Sequence, residues 1–223
     1  SSSTGADPAM WPFRRPSASA RLDDARWVVV DVEASGLDVR RDRLLAIAAV
    51  AVHLGAGAPR VRLGDSFDVL IRQPEPSGPP DVANILLHGI GVGAQRTGLA
   101  MAAACASFAG WLGRSPLVAF HAAFDRAMLE RAFEETEQPP LAGAWLDLAP
   151  LAAVLHPDAR AQSLDDWMKR FGIRCAARHQ AAADALATAE LLQHLWPALR
   201  REVARPGFRA VHALAAARRW LPG

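Results

Sequence analysis

The sequence predicts an α/β fold: a mixed five-stranded sheet, three antiparallel strands and then two parallel ones, flanked by helices. Three observations carry that expectation. Apolar, β-patterned runs at 27–33, 44–53 and 66–72 follow one another across links too short for a helical crossover, so they pair as antiparallel neighbours. Pro74, Pro76, Pro79 and Pro80 then break the pattern. Beyond them the apolar period lengthens to that of helices, with two short strands set between helical stretches, which is the pattern of parallel additions to a sheet.

The elements follow in order. Residues 1–24, rich in Ser, Pro, Ala and Arg, read as a flexible tail with Trp11 and Phe13 as anchors, and residues 1–9 read as non-native ahead of a start at Met10. The main folded domain is expected over 25–202, with a basic helical extension over 203–223. Helices are expected over 93–112, 124–136, 149–155, from Ser163 onward, over 181–202 and over 208–220. Short strands are expected at 116–120 and 144–146. Ser163 and Asp166 stand at capping-box spacing, and Asp147 is placed to cap the helix that follows it.

Composition narrows the function only slightly. The chain has 223 residues, 51% of them hydrophobic, enough for one domain with a sizeable core, and its formal net charge is +2. Positive charge is nearly all arginine, Lys169 being the lone lysine, and it collects after residue 200 as Arg200, Arg201, Arg205, Arg209, Arg218 and Arg219 against Glu202. Arginine suits phosphate, but the same bias fits a GC-rich genome. Cys105 and Cys175 lack metal-ligand spacing and read as reduced core cysteines. No apolar run reaches the length of a membrane span and no signal-peptide pattern opens the chain, so a cytoplasmic location is expected.

The chemistry concentrates in carboxylates. In WVVVDVEASGL, residues 27–37, Asp31 and Glu33 share one face of a strand and repel each other unless a cation intervenes. Alone, the pair equally fits a solvated strand end. In LVAFHAAFDRAMLERA, residues 117–132, Asp125 falls in the first turn of a helix, where an acid also suits the helix dipole. In RHQAAADALATAELL, residues 178–192, His179 precedes Asp184 by five positions. Asp184 shares the Ala187–Leu191 stripe, at its buried edge or on a polar face.

Acid-x-acid on a first strand, acid on a middle helix, then His and acid on a long last helix resembles the DEDDh group of 3′→5′ exonucleases, relatives of the DNA polymerase III epsilon proofreading subunit. The carrying stretches are DVEASGL, HAAFDRAML and HQAAADALATAELL, with LLHGIG at 86–91 and WLDLAPLA at 145–152 alongside. The resemblance implies a ribonuclease-H-like fold. It also implies that Asp31, Glu33, Asp125 and Asp184 bind two divalent cations, Mg²⁺ or Mn²⁺, while His179 serves as general base. Ser35, Gly36, Leu37, His121 and Phe124 would contact the substrate. Ala34 and Ser35 stand where the family often has two threonines, and Phe120-His121 where many members have His-Asn; His121 reads better as a supporting or capping residue than as a ligand.

The implied activity is release of nucleoside monophosphates from a free 3′ end of single-stranded or frayed nucleic acid, DNA favoured over RNA, by a stand-alone nuclease domain. Competing readings are an RNA-trimming exoribonuclease and an inactive module that binds nucleic acid or a polymerase, the basic C-terminal segment serving as the dock. A zinc hydrolase fits poorly, with one histidine among the acids.

Overall fold

The computed structural model describes residues 22–74 and 82–217. Its sheet is formed by β1 (Arg26–Ala34), β2 (Leu44–His53), β3 (Arg60–Leu70), β4 (Leu117–Ala119) and β5 (Trp145–Asp147), in the spatial order β3-β2-β1-β4-β5. β1 pairs antiparallel with β2 and β2 with β3, whereas β4 runs parallel to β1 and β5 parallel to β4. The mixed topology matches the expectation.

The helices are α1 (Val82–His88), α2 (Val92–Thr97), α3 (Met101–Leu112), α4 (Ala123–Glu135), α5 (Leu148–Leu155), α6 (Leu164–Phe171), α7 (Ala181–Glu202) and α8 (Phe208–Ala217). Alternation along β1 assigns its two faces. Val28, Val30, Val32 and Ala34 enter one core with Phe108 of α3 and Met128, Leu129 and Phe133 of α4. Trp27 and Val29 point the other way, into a core with Leu151 of α5, Ala189, Leu192 and Trp196 of α7, and Phe208 and Val211 of α8. β2 is covered on both sides, which is why its ten residues are almost uniformly apolar.

Several expectations need correction. The single helix foreseen over 93–112 is two, α2 and α3, because Leu99 forms a parallel bridge with Ile71 and its N–H donates to Leu70 O at 2.9 Å. Gly98 sits so close beneath that a Cβ there would lie 2.6 Å from Leu70 O, and only glycine allows the approach. β3 begins at Arg60, not 66, and ends at Leu70. Between Val50 and Ala51 the register skips Leu63, Gly64 and Asp65, a bulge that hides the strand's first half from period-2 reading. α1 was not foreseen. Cys175 is not a core residue: α6 stops at left-handed Gly172, and Cys175 lies half-buried in the loop that follows.

The expected caps are present. Ser163 accepts from Asp166 N–H while Asp166 accepts from Ser163 N–H, and Asp147 Oδ1 accepts from Ala149 N–H at 2.9 Å. α8 is started by Asp24, which accepts the Phe208 N–H at 2.7 Å, and Phe208 meets Trp27 edge-on. Residues 1–21, 75–81 and 218–223 lie outside the described residues, and with them Met10, Trp11, Phe13, the prolines at 76, 79 and 80, and the end of the helix expected over 208–220. Among the described residues, no helix is long and apolar enough to cross a membrane.

Candidate active site

The site forms where β1 outlasts its parallel neighbour. Asp31 and Glu33 lie opposite Ala48 and Ala46 of β2, small residues that leave the carboxyl groups room. By alternation they continue the Trp27–Val29 face, the one covered by α7. On its other edge β1 is paired to β4 only at Val28 and Val29. The Val28 N–H already donates to Pro116 O, so the Val32 N–H, four residues on, points to the same edge after β4 has ended. Asp125 Oδ1 accepts that N–H at 3.0 Å. One backbone bond thus seats the α4 carboxylate between Asp31 and Glu33.

α7 supplies the fourth acid. Asp184 is 6% exposed, and Ala187 and Leu191 on its stripe are buried in turn, so the buried alternative holds. Its Oδ2 accepts the His179 N–H at 3.0 Å, and Glu33 accepts the Ala181 N–H, so two carboxylates serve the amide donors at the start of α7. His179 itself is exposed, on the loop before α7, with φ +61°.

Crowded, buried negative charge marks the cluster. Asp31 is pushed well above the usual carboxylate range by burial, then by Asp125, Asp184 and Glu33. Burial, reinforced by Asp184 and Asp125, raises Glu33 to about 8. Asp125 is raised to about 7, again chiefly by burial, although the N–H groups of Val32 and its own backbone oppose the shift. Four hard oxygen donors in need of compensating charge suit a hard divalent cation. In this conformation, however, no three His, Cys, Asp or Glu side chains among the described residues close to metal-binding distance.

The other expected residues divide. Ser35 is committed locally: its hydroxyl donates to Asp42 Oδ1 and accepts the Arg43 N–H, both at 2.9 Å, closing the β1–β2 loop. Arg131 of α4 clamps that loop through the carbonyls of Val39 and Asp42. Leu37 projects into solvent, 88% exposed. His121, at φ +57°, gives its N–H to Asp147 Oδ1 at 3.0 Å and reaches Gln162 O through Nε2 at 3.2 Å. It ties the start of α4 to the loop before α6. Phe124 is half-buried beside Asp125. His88 stays in its turn: Nδ1 accepts from Ile90 N–H at 2.9 Å, Nε2 meets Asn84 Oδ1 at 2.7 Å, and Asn84 reaches Ala34 O at the end of β1.

Sequence reasoning missed three participants. Arg178 forms an ion pair with Asp184 and donates to Asp165 Oδ1 at 2.6 Å, Cys175 Sγ stands 3.6 Å from Asp184 Oδ1, and Asp147 adds negative field at Asp125. Only Arg178 left a trace in the sequence, a cation just before the His-to-Asp stretch.

An exonuclease family model, RNase_T, matches residues 28–192. The DNA polymerase III PolC-type protein of Listeria innocua is 30% identical over 170 residues, covering 76% of this chain and 11% of that protein. The DNA polymerase III subunit epsilon-like protein of Rhodobacter capsulatus is 34% identical over 186 residues, 82% of this chain and 25% of that one. The chain therefore spans a quarter or less of the length of these relatives. In structure it is similar to E. coli Exonuclease I in complex with a dT13 oligonucleotide, with a TM-score of 0.68 and 19% identity over 81% of this chain and 43% of that one. It is also similar to the cell-death related nuclease CRN-4, with a TM-score of 0.64 and 13% identity over 78% and 64%. At such identities these two likenesses bear on the fold alone, which is ribonuclease-H-like.

Proposed function

The chain belongs to the RNase_T exonuclease family, and from that premise we propose that it is a metal-dependent 3′→5′ exonuclease acting on single-stranded or frayed ends, with DNA preferred over RNA. The observation that carries the proposal is the cluster of Asp31, Glu33, Asp125 and Asp184 around the free end of β1, three of them held above the usual carboxylate range chiefly by burial and, for Asp31 and Glu33, by the neighbouring acids.

Those four residues would hold the cations, Mg²⁺ or Mn²⁺. Such cations, when bound, lower the pKa of a water and offset charge on the scissile phosphate. The chain's own groups do the rest. Asp31, in the field of the other three acids, would share in holding both cations. His179, exposed on its loop, takes the proton from the attacking water. Leu37, Gly36, Phe124, His121 and Ser35 would contact the substrate. Exposed Leu37 offers a base an apolar surface, in keeping with weak sequence preference. Support for a nucleic acid as substrate comes from the exonuclease family model that covers residues 28–192. The PolC-type and epsilon-like relatives suggest a polymerase partner, for which the basic C-terminal segment would be the dock.

The test is digestion of matched 5′-labelled DNA and RNA oligonucleotides with Mg²⁺, Mn²⁺ or EDTA. A ladder shortening from the 3′ end, absent in EDTA and stronger on DNA, is expected. Cutting of a circular single strand, or full activity in folded Asp31→Ala, would overturn the proposal.

A further inference from the structure

Asp184 is the most heavily engaged of the four acids. Oδ2 takes the His179 N–H at 3.0 Å, and Oδ1 faces both the Cys175 thiol at 3.6 Å and the buried Nη1 of Arg178. Arg178 does not stop there. Its Nε donates to Asp165 Oδ1 at 2.6 Å, in the first turn of α6. One guanidinium, its side chain 26% exposed, therefore bridges the N-terminal turns of α6 and α7 from the loop that carries His179. Its positive field also reaches Asp31 and Glu33.

We propose that Arg178 is the internal counter-ion of this site, holding Asp184 until a divalent cation displaces it, with Asp165 as the second seat that keeps it anchored. A buried carboxylate left without a cation is costly, and Arg178 removes that cost within the chain. A guanidinium on Asp184 and a divalent cation on the same carboxylate compete for the same oxygens and repel each other. Retreat to Asp165 leaves Arg178 paired, so the exchange costs less than exposing a bare arginine. His179 is the next residue and its N–H holds the same carboxylate, so cation loading and the placement of His179 become one movement. Arg178 is thus a positioning residue.

This inference rests on Asp184 being a metal ligand, and the experiment separates the two claims. The full chain, stripped with EDTA, is titrated with Mn²⁺ alone and binding is read by calorimetry or electron paramagnetic resonance. Arg178→Gln should bind Mn²⁺ about tenfold more tightly, the scale of one charged hydrogen bond, while melting at a lower temperature in EDTA. Asp165→Asn should bind it severalfold more weakly, because the displaced arginine has lost its seat. In an Arg178→Gln background, Asp165→Asn should be silent. Unchanged or weaker Mn²⁺ binding in folded Arg178→Gln overturns the inference. So does an equal Asp165→Asn effect in both backgrounds, which would be a plain field effect. If Arg178→Gln does not fold, Arg178→Lys keeps the charge but cannot span both acids, and unchanged affinity there is equally fatal. Absence of Mn²⁺ binding by the wild-type chain would remove the metal reading itself, and this inference with it.

Discussion

The backbone N–H of Val32 donates to the side chain of Asp125 at 3.0 Å, joining β1 to the start of α4 between the two strand carboxylates. Both partners are buried, at 6% exposure each, so the bond is structural as well as a way of aiming the acid. Asp125 carries two separable properties there, an acceptor oxygen and a charge.

Replacing each property in turn gives a first prediction. Asp125→Ala leaves the Val32 N–H buried and unpaired and should cost about 1–3 kcal/mol. Asp125→Asn keeps an acceptor and relieves the crowding of like charges, so in EDTA it should be as stable as wild type or more so. Both should lose nuclease activity if the charge holds a cation. Chemical denaturation in EDTA decides the matter: equal destabilisation by Asn and Ala would show that the hydrogen bond is not what matters.

The raised carboxyl groups also set a pH dependence. In the folded protein Glu33 keeps its proton to about 8 and Asp125 to about 7, with Asp31 raised as well, while unfolded carboxyl groups ionise near 4. Across that interval the folded state binds more protons than the unfolded one, so stability in EDTA should fall as pH rises from about 5 to 8. Arg178 softens the slope by favouring the ionised forms of Asp31 and Glu33. Glu33→Gln should flatten part of it. Saturating Mn²⁺ should flatten more, since a cation favours the ionised carboxylates. Melting curves from pH 5 to 8.5 that stay level or climb in EDTA would refute this account.

How much of this was legible in the sequence depends on where the information lies. β2 and α7 were read to the residue because each carries a long, uninterrupted pattern, buried on both faces for β2 and striped for α7. The break between α2 and α3 was not, because it is made by contact with β3, and Gly98 alone inside a helical period looks tolerable. The carboxylates were visible because strand alternation and helix position place them locally. Arg178 was hidden for the opposite reason. Its partners, Asp165 and Asp184, lie on different helices, and in a chain this rich in arginine its place just before His179 is too weak a trace to single it out.

That contact with β3 is itself testable. Gly98→Ala would set a methyl group 2.6 Å from Leu70 O and 2.7 Å from Arg72 N, both backbone atoms that cannot swing aside. Overpacking of this kind costs about 1–3 kcal/mol. The expected result is a lower melting temperature with unchanged Mn²⁺ affinity, because the clash lies away from the four acids. An Ala variant as stable as wild type would mean the α2–α3 break is set by something else.

The last prediction isolates His179. Its N–H holds Asp184 Oδ2, a backbone contact that survives any side-chain change, while the residue itself is exposed on its loop. Removing the ring should therefore leave Mn²⁺ binding nearly intact. Because the residue sits at φ +61°, where asparagine is far more at ease than alanine, His179→Asn is the cleaner variant and His179→Ala the control for strain. If the imidazole takes the proton of the attacking water, both variants should be slower by about 10²–10⁴-fold. A residue that merely shapes the start of α7 behaves otherwise: His179→Asn, relieved of strain, would keep its rate, and His179→Ala would lose only stability. Rates measured at saturating Mn²⁺, on protein checked for folding, separate the two cases. A normal rate in His179→Asn would take His179 out of the chemistry while leaving the four carboxylates as the metal site.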